Sequence, residues 1–437
     1  MDNQRTSSTP LWLQRLGGRL RLARRARGVT QTDAAGPGLT KSFVSLLESG
    51  RTYPSVATLV SIADRLQTSL GQLLLDEGQL ARETALNLIS LARGAATART
   101  EQSESLLDAA STLAGGGDDI AVELLLARGD IAVAQGRHRD ADRWFREALS
   151  QAKKRRQRLD EPRAMMRLAA LAYHNGDFGH ARTQIEDSLA AFRATRTLRT
   201  PDGCDAMILH GSILVRQGKP SRALRVFEDA VRTAEREGLE PVLGRAYGGI
   251  GQAHAAAHHV NRAIDALQRA RDALQGTGSG PDLAAALHQL GRLQLEAGHV
   301  ENAQEALEQG ARLLQDQSDP GPRADALTDL ARAQLRAGRL AQAHTTARTA
   351  LSIAGHTHDP GRRGRALLAL AHVARAQRRT KQAIELLREA TMVLRKARLP
   401  EELSEANREL EAMTKEKAPS GAERMLAAAG RAHGNGA

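Results

Sequence analysis

The chain has 437 residues, and its 62 Lys and Arg against 50 Asp and Glu give a formal net charge of +12. This length allows two to four domains. A single cysteine, Cys204, excludes an intrachain disulfide framework, and the absence of a long apolar run or an apolar signal segment argues against a membrane or secreted protein. We therefore expect a cytoplasmic protein without a membrane partner.

Both ends of the chain are rich in small and polar residues. Residues 1–10 and 417–437 have the composition of disordered tails, although Glu423–Ala429 is compatible with a short helix. Between the tails we predict two domains, at residues 11–76 and 79–416.

The first domain is predicted to contain five short helices. They lie at Gln14–Ala26, Thr30–Ala35, Thr40–Ser49, Ser55–Leu66 and Ser69–Leu75. The breaks between them contain glycine, proline or capping residues, which end helices. Thr30 and Ser55 are natural N-caps because their hydroxyl groups accept hydrogen bonds from the first helical turn.

Two segments of this domain carry a resemblance to a known family. The first, Leu16–Gln31, contains Leu16-Gly17, Arg19-Leu20 and Gly28-Val29-Thr30-Gln31, and the second, Leu39–Arg51, has the sequence LTKSFVSLLESGR. With Pro54 and Ser55 behind them, these segments resemble the lambda-repressor-like or Xre helix-turn-helix family. The connection from Gln31 to Thr40 is one residue shorter than usual and contains Pro37, so we expect a shortened second helix and a rebuilt turn.

The resemblance implies that the third helix, Thr40–Ser49, enters the major groove of DNA. Its base-edge candidates are Thr40, Lys41, Ser42 and Ser45. Gln31 would contact the DNA backbone and brace this helix, whereas Ser49, Gly50 and Arg51 would lie near phosphates.

The net charge of the first domain agrees with a role in DNA binding. Residues 1–75 contain ten Lys or Arg and four Asp or Glu, a balance of +6. A small cationic domain neutralises DNA phosphates, so its binding should weaken steeply with salt. The alternative is a general preference for arginine, since the whole chain favours Arg over Lys.

The second domain repeats one pattern seven times. An alanine recurs at intervals of 40, 42, 40, 40, 40 and 40 residues, at Ala141, Ala181, Ala223, Ala263, Ala303, Ala343 and Ala383. Five residues before each alanine stands a turn residue: Gly136, Gly176, Gly218, His258, Gly298, Gly338 and Arg378. Small or apolar side chains at helical spacing flank the turns, so each unit is predicted to be two helices around a tight turn. A fixed period of helix pairs predicts a solenoid.

Gly129, Gly136, Ala141, Phe145 and Ala148 occupy the characteristic places of a tetratricopeptide repeat, and later units resemble it too. The family period is about 34 residues, so longer helices or linkers would absorb the difference, as in the long-helix repeats of peptide-sensing bacterial regulators. HEAT-type repeats share the longer period but lack the glycine and alanine positions. We expect an all-α fold: a five-helix head and a right-handed α-solenoid of seven to eight helix pairs, with residues 79–116 as a degenerate eighth pair.

In tetratricopeptide proteins the first helices of successive units line a concave groove. Carried onto this chain, the resemblance implies a ligand groove formed by Tyr173, Gln252, His288, Arg292, Thr328, Arg332, His372 and Arg375. Arg292, Arg332 and Arg375 together are candidates for holding a carboxylate, such as a peptide C-terminus. The alternative is an ordinary solvated surface or a protein interface.

Two other groups suggest enzymatic or metal chemistry. Gly244, Gly248, Gly249 and Gly251 form a glycine-rich run, but they lie inside a predicted helix with no preceding strand, which favours close helix packing. His254 and His258 have the four-residue spacing of a shared metal site, but no carboxylate or cysteine nearby completes it, which favours a polar turn. The loop pair His356 and His358 is a still poorer candidate.

Further candidates also have simpler explanations. The basic run from Lys153 to Arg158 suits a solvated helix end, where cations are favoured, better than a second DNA contact. No local feature argues for a reactive thiol at Cys204. No nucleophile has an adjacent base, so we expect a non-enzyme without metal or cofactor.

These patterns predict a bacterial transcription regulator that binds double-stranded DNA as a homodimer. Its solenoid would mediate dimerisation and sense a peptide or protein, as in the quorum-sensing regulators that share this architecture. The alternative is a tetratricopeptide scaffold or adaptor whose helix-turn-helix head is vestigial or serves as a protein contact.

Overall fold

The computed structural model describes residues 11–74, 77–96, 100–113, 118–155, 159–317, 319–357 and 359–416. Every regular element in these ranges is an α-helix. The chain divides into two compact units, one ending at Trp144 and the other beginning at Phe145. The predicted tails, including the Glu423–Ala429 helix, lie outside the described residues.

The first unit begins with five short helices. They are α1 (Leu11–Ala26), α2 (Gln31–Ala35), α3 (Lys41–Glu48), α4 (Val56–Arg65) and α5 (Leu70–Leu74). The five predicted helices are confirmed, and their ends agree within one residue except at the start of α1. That helix begins at Leu11 rather than Gln14, because Leu13 is buried with Leu16 and Leu20 and extends the apolar face by one turn.

Three longer helices complete the first unit, and a fourth contains the division between the units. They are α6 (Glu77–Gly94), α7 (Thr100–Leu113), α8 (Asp118–Ala134) and α9 (His138–Arg155). Helices α6 and α7 pack against each other and both contact α8, so the predicted degenerate eighth pair is confirmed as a helix pair.

The second unit continues with thirteen helices. They are α10 (Asp160–His174), α11 (Phe178–Ala194), α12 (Pro201–Arg216), α13 (Pro220–Glu237), α14 (Glu240–Ala256), α15 (Val260–Leu274), α16 (Gly280–Glu296), α17 (Val300–Leu313), α18 (Gly321–Arg336), α19 (Leu340–Gly355), α20 (Pro360–Ala376), α21 (Thr380–Ala397) and α22 (Pro400–Glu416). Each even-numbered helix from α10 to α20 packs on the helix that follows it and, up to α18, on the next even-numbered helix. The even-numbered helices are therefore the first helices of a stack of repeats.

The repeat pattern has a direct structural meaning. All seven recurring alanines are fully buried. All seven turn residues adopt positive φ angles, including the two that are not glycine, His258 and Arg378, each at 59°. Only glycine adopts this left-handed conformation without a steric penalty, which explains why five of the seven are glycine.

The glycine-rich run of α14 serves helix packing, as its sequence context favoured. A Cβ on Gly249 would lie 2.3 Å from the Phe227 ring, and one on Gly244 would lie 2.3 Å from Leu274. Gly211 of α12 is also close to the Phe227 ring, so the fully buried ring packs against both α12 and α14. None of the helices in the described ranges has the length and hydrophobicity of a bilayer-spanning segment.

Candidate nucleic-acid interface and ligand groove

Helix α3 presents a polar face to solvent. Thr40 is its N-cap, with Oγ1 accepting a hydrogen bond from the Phe43 amide at 3.1 Å. Val44, Leu47 and Glu48 are buried, so Lys41, Ser42 and Ser45 point outward. These are three of the four predicted base-edge residues, whereas Thr40 has a capping role as well.

The C-terminal end of α3 is held by close backbone contact with α1. A Cβ on Gly17 would lie 2.4 Å from the Leu47 carbonyl oxygen, and one on Gly50 would lie 3.0 Å from the Cα of Gln14. Gly50 has a φ of 73°, and the Arg51 amide donates to the Leu46 carbonyl at 2.8 Å. This arrangement ends the helix in a Schellman motif and fixes Ser49 and Arg51 at its exit.

A buried carboxylate fastens α3 to the helices behind it. Glu48 is 4% exposed, and its Oε1 accepts a hydrogen bond from Arg24 Nε at 2.6 Å. Its Oε2 accepts from Gln31 Nε2 at 2.9 Å and from Arg24 Nη2 at 3.2 Å. Gln31 therefore braces the recognition helix through its side chain, while a contact of Gln31 with DNA stays a prediction.

The charge on Glu48 is compensated. Burial raises the pKa of this carboxyl group, but the hydrogen bonds from Arg24 and Gln31, with the charges of Arg24 and Arg21, outweigh burial and hold the pKa below its usual range. The carboxylate is thus ionised at neutral pH and stabilises the partly buried Arg24 guanidinium.

The shortened turn between α2 and α3 has its own support. Helix α2 has only five residues, as the missing position and Pro37 led us to expect. The Arg65 guanidinium of α4 donates to the carbonyl oxygens of Ala35 and, at 3.3 Å, of Pro37. The loop is therefore fixed by α4 through a residue for which the sequence suggested no role.

Several arginines of the head are occupied internally. Arg19 donates to the Leu73 and Leu74 carbonyls, Arg27 donates to Gln67, and Arg24 and Arg65 have the partners just given. The side chains that remain exposed, without a hydrogen bond or ion pair to any described residue, are Arg15, Arg25, Lys41 and Arg51. The cationic surface available to phosphates is thus smaller than the formal charge indicates.

Leu46 is a recognition-helix residue that the sequence analysis did not single out. It is 44% exposed and lies between the outward Ser45 and the buried Leu47. Exposed apolar side chains can contact the thymine methyl group in the major groove. The helical period of the sequence could have identified Leu46, because Val44, Leu47 and Glu48 face inward and leave Leu46 on the outer face.

The second unit contains a cavity of about 890 Å³ along its even-numbered helices. Seven of the eight predicted groove residues line it: Tyr173, Gln252, His288, Arg292, Thr328, Arg332 and His372. Its volume lies in the range typical of small-molecule sites.

Two of the predicted groove residues have partners within the protein. Arg375 is absent from the cavity lining, since it pairs with Glu409 of α22, so the predicted trio of arginines is not assembled. Thr328 is only 6% exposed, and its hydroxyl donates to the Ala324 carbonyl at 2.7 Å, which uses it within its own helix.

The other candidates have structural explanations. His258 follows the end of α14 in a left-handed turn, so His254 and His258 do not share a helical face. Burial, above all, raises the pKa of the Cys204 thiol to about 11, which makes it unreactive. Lys153 and Lys154 lie in the last turn of α9, whereas His358 and residues 156–158 fall outside the described ranges.

Family comparisons match both parts of the chain. Residues 15–75 match a model described as a helix-turn-helix domain. Residues 126–198, 208–277 and 288–360 match a tetratricopeptide repeat model, and residues 366–400 match a second one. Among curated protein sequences none is significantly similar to this chain.

Several solved structures are similar in fold. A signal transduction ATPase with a tetratricopeptide repeat sensor from Pyrococcus horikoshii has a TM-score of 0.56 at 12% identity, covering 92% of this chain and 60% of its own. Bacillus thuringiensis PlcR, in complex with the peptide PapR7 and DNA, has a TM-score of 0.39 at 13% identity, covering 69% and 94%. Aspartyl phosphate phosphatase F from Bacillus subtilis has a TM-score of 0.48 at 13% identity, covering 90% and 96%.

The family matches define the domain organisation. A helix-turn-helix domain is followed by tetratricopeptide repeats, which supports a DNA-binding regulator with a tetratricopeptide repeat domain in general. Neither of the matched families is an enzymatic kind.

Proposed function

We propose that this protein is a sequence-specific transcription regulator that places α3 in the major groove of its operator. The observation that carries the proposal is the exposed face of α3. Lys41, Ser42 and Ser45 lie outward on a helix whose opposite side is fixed by Glu48. A recognition helix fixed from behind presents its side chains in one orientation, as base-edge recognition requires.

Thr40, Lys41, Ser42 and Ser45 are proposed to contact base edges. Ser49, Arg51 and Gln31 are proposed to lie against the backbone, because the exit of α3 and the start of α2 flank the reading face. Lys41 is the one cation among the base-edge residues and suits the O6 and N7 acceptors of guanine.

We further propose that the active form is a homodimer. Helix α3 has eight residues, and each good base contact contributes only about 1–3 kcal/mol of discrimination. Specific binding exceeds non-specific binding by about 4–10 kcal/mol, which favours two heads on two half-sites. Half-sites about 34 Å apart would then form a palindromic operator.

The cavity of the second unit is proposed to hold a peptide or a short segment of a protein partner. A ligand that binds one curvature of the repeats better than another would shift the separation of two heads, and so the affinity for paired half-sites. Neighbouring first helices joined by polar side chains supply a surface whose curvature a bound peptide can change.

The test is selection of genomic fragments by the full-length protein at about 150 mM salt, where loose electrostatic binding is weak. We expect a recurrent palindromic sequence that Lys41→Glu no longer selects and that Lys381→Glu, an exposed charge reversal on α21, still selects. Equal selection by both variants, or only random fragments, would contradict the proposal and favour the scaffold function.

A further inference from the structure

We propose that the ligand of the cavity is a short peptide held by opposite charges at its two ends. Its carboxylate would lie at Arg292, on the side of the cavity where Arg216 adds positive charge, and a cationic group, an N-terminal amine or a basic side chain, would lie at Glu402 and Glu405. This inference rests on the proposed ligand-binding role of the cavity and adds the polarity and length of the ligand.

The charges in the middle of the cavity are already paired. Asp325 accepts hydrogen bonds from Arg362 at 2.8 Å and from Arg365 at 3.1 Å. Asp329 is 2.8 Å from His288 Nε2 and 3.5 Å from Arg332. These groups have little charge left for a ligand, so the central wall offers mainly polar and apolar contacts.

Unpaired cations lie toward α12 and α16. The Arg292 side chain is exposed and forms no hydrogen bond or ion pair with any described residue, and its charge is one of those that lower the pKa of the nearby Asp329. The Arg216 guanidinium lies 5.1 Å from the centroid of the Phe178 ring, which holds the cation without neutralising it. One carboxylate, Glu296 at the end of α16, also lines this part, so the two arginines leave an excess of positive charge.

Unpaired carboxylates lie at the other end, on α22. Glu402 and Glu405 both line the cavity. The nearest partner of Glu405 is His372, with Nε2 at 3.7 Å, and this buried nitrogen has no hydrogen-bond partner in the part of the chain that the structure describes. Burial, first of all, lowers the pKa of His372 despite the nearby Glu405 and Glu409, so the imidazole is neutral at pH 7 and does not cancel the Glu405 charge.

The separation of the two ends sets the length of the ligand. From α16 the stack passes α18 and α20 to reach α22, which is three steps of about 8–10 Å, or about 24–30 Å in all. An extended chain spans about 3.3–3.6 Å per residue, so a peptide of about seven to nine residues fits. A free amino acid is too short to meet both charges. Gln252 and Gln289, which also line the cavity, can bond with peptide groups.

The experiment is affinity selection from three synthetic octapeptide pools with the full-length protein. The first pool has a free amine, an adjacent lysine and a free carboxylate around random central positions. The second differs by a C-terminal amide, and the third by an acetylated N-terminus with glutamine for the lysine. We expect the first pool to yield bound peptides enriched about tenfold over each of the others, since one charge-assisted contact contributes about 1.4 kcal/mol.

One single and one double variant separate the two ends. Arg292→Gln should abolish the preference for a free carboxylate and keep the preference for the basic end. Glu402→Gln with Glu405→Gln should do the opposite. Glu401→Gln, an exposed neighbour outside the cavity lining, should change neither preference and serves as the control.

The outcomes are distinct. Equal enrichment from all three pools would overturn the charge polarity while leaving a peptide-binding groove in place. No enrichment from any pool would overturn both this inference and the proposed peptide ligand. A preference that persists in Arg292→Gln, with an unchanged melting temperature, would place the carboxylate elsewhere and contradict the assignment.

Discussion

The head and the repeats are both rich in arginine, but they use it differently. In the head, Arg19, Arg27 and Arg65 donate to main-chain carbonyl oxygens and fix loops and helix ends. In the repeats, arginines join neighbouring first helices: Arg245 of α14 binds Asp205 of α12 at 2.8 Å and Asp282 of α16 at 2.7 Å. A small domain has few helices to stack and must fix irregular backbone, whereas a stack must fix the spacing of its members.

This difference shows how binding residues can be recognised. Net charge counts every arginine, although many of them already have a partner within the protein. Among the groups that form no hydrogen bond or ion pair with a described residue are Lys41 and Arg51 around α3, and Arg292 and Glu402 around the cavity. Those are the residues to which we assign DNA and ligand.

The largest effect is expected from a substitution that breaks the hydrogen-bond network around Glu48 in the head. Glu48→Gln keeps the shape of the buried side chain but leaves the partly buried Arg24 guanidinium without its counter-charge. Removing one partner of a buried ion pair costs about 3 kcal/mol or more. Hydrogen exchange of the amides in α1, α3 and α4 of the full chain should therefore become roughly a hundredfold faster.

Asp64→Asn is the matched control, because Asp64 is an exposed acid on α4 of the same head. It should leave the exchange rates within a factor of a few. If Glu48→Gln were equally mild, the buried network would not be what holds the recognition helix.

The same network predicts how the head responds to acid. The pKa of Glu48 is lower in the folded protein than in the unfolded chain, so its contribution to stability is complete above the unfolded value of about 4.3. That contribution is lost as pH falls through the lower, folded pKa. Below pH 4 the wild-type head should therefore lose its protection against hydrogen exchange and approach the behaviour of Glu48→Gln.

The fold could be predicted from the sequence because its signals are local and periodic. The alanine period gave the helix pairs, and Thr30 and Ser55 marked helix starts to within one residue. The partners of charged side chains could not be predicted this way. Arg65 donates a hydrogen bond to a carbonyl oxygen of the α2–α3 turn, and Arg375 pairs with Glu409, 34 residues further along the chain. Both contacts depend on how the helices cross. For that reason the sequence could not show that Arg375 pairs with Glu409 instead of lining the cavity with Arg292 and Arg332.

The next largest effect is a difference in stability between alanine substitutions at two adjacent glycines of α14. In Gly249→Ala the new methyl group would overlap the Phe227 ring, and overpacking of this kind costs about 1–3 kcal/mol. In Gly248→Ala the methyl group meets no atom within 4 Å, so the higher helix propensity of alanine should stabilise the protein by up to about 1 kcal/mol. Urea denaturation monitored at the repeats should show midpoints that move in opposite directions.

A second substitution sharpens this comparison. Phe227→Leu makes room for the methyl group, so in the Gly249→Ala background it should cost less than it does alone, a coupling typical of residues in contact. Additive costs would mean that α12 and α14 relax apart without using the Phe227 ring as a spacer.

The smallest expected effect is a pH dependence at the end of the stack. The pKa of His372 is lowered chiefly by burial, and the charges of Arg332 and Arg375 act in the same direction, against Glu405 and Glu409. Because the unfolded chain binds the proton more readily, stability is present above about pH 6.5 and declines as pH falls below it. Hydrogen exchange in α20 and α22, corrected for intrinsic rates, should reveal weaker protection at pH 5.5 than at pH 7.5.

His372→Asn should remove this difference, since the variant has no group that titrates there, whereas His299→Asn at an exposed turn should retain it. An unchanged pH response in His372→Asn would assign the loss to the carboxylates of α22 instead. A pH series in half-unit steps should show the loss of protection beginning just below pH 6.5, as expected for an imidazole with a lowered pKa.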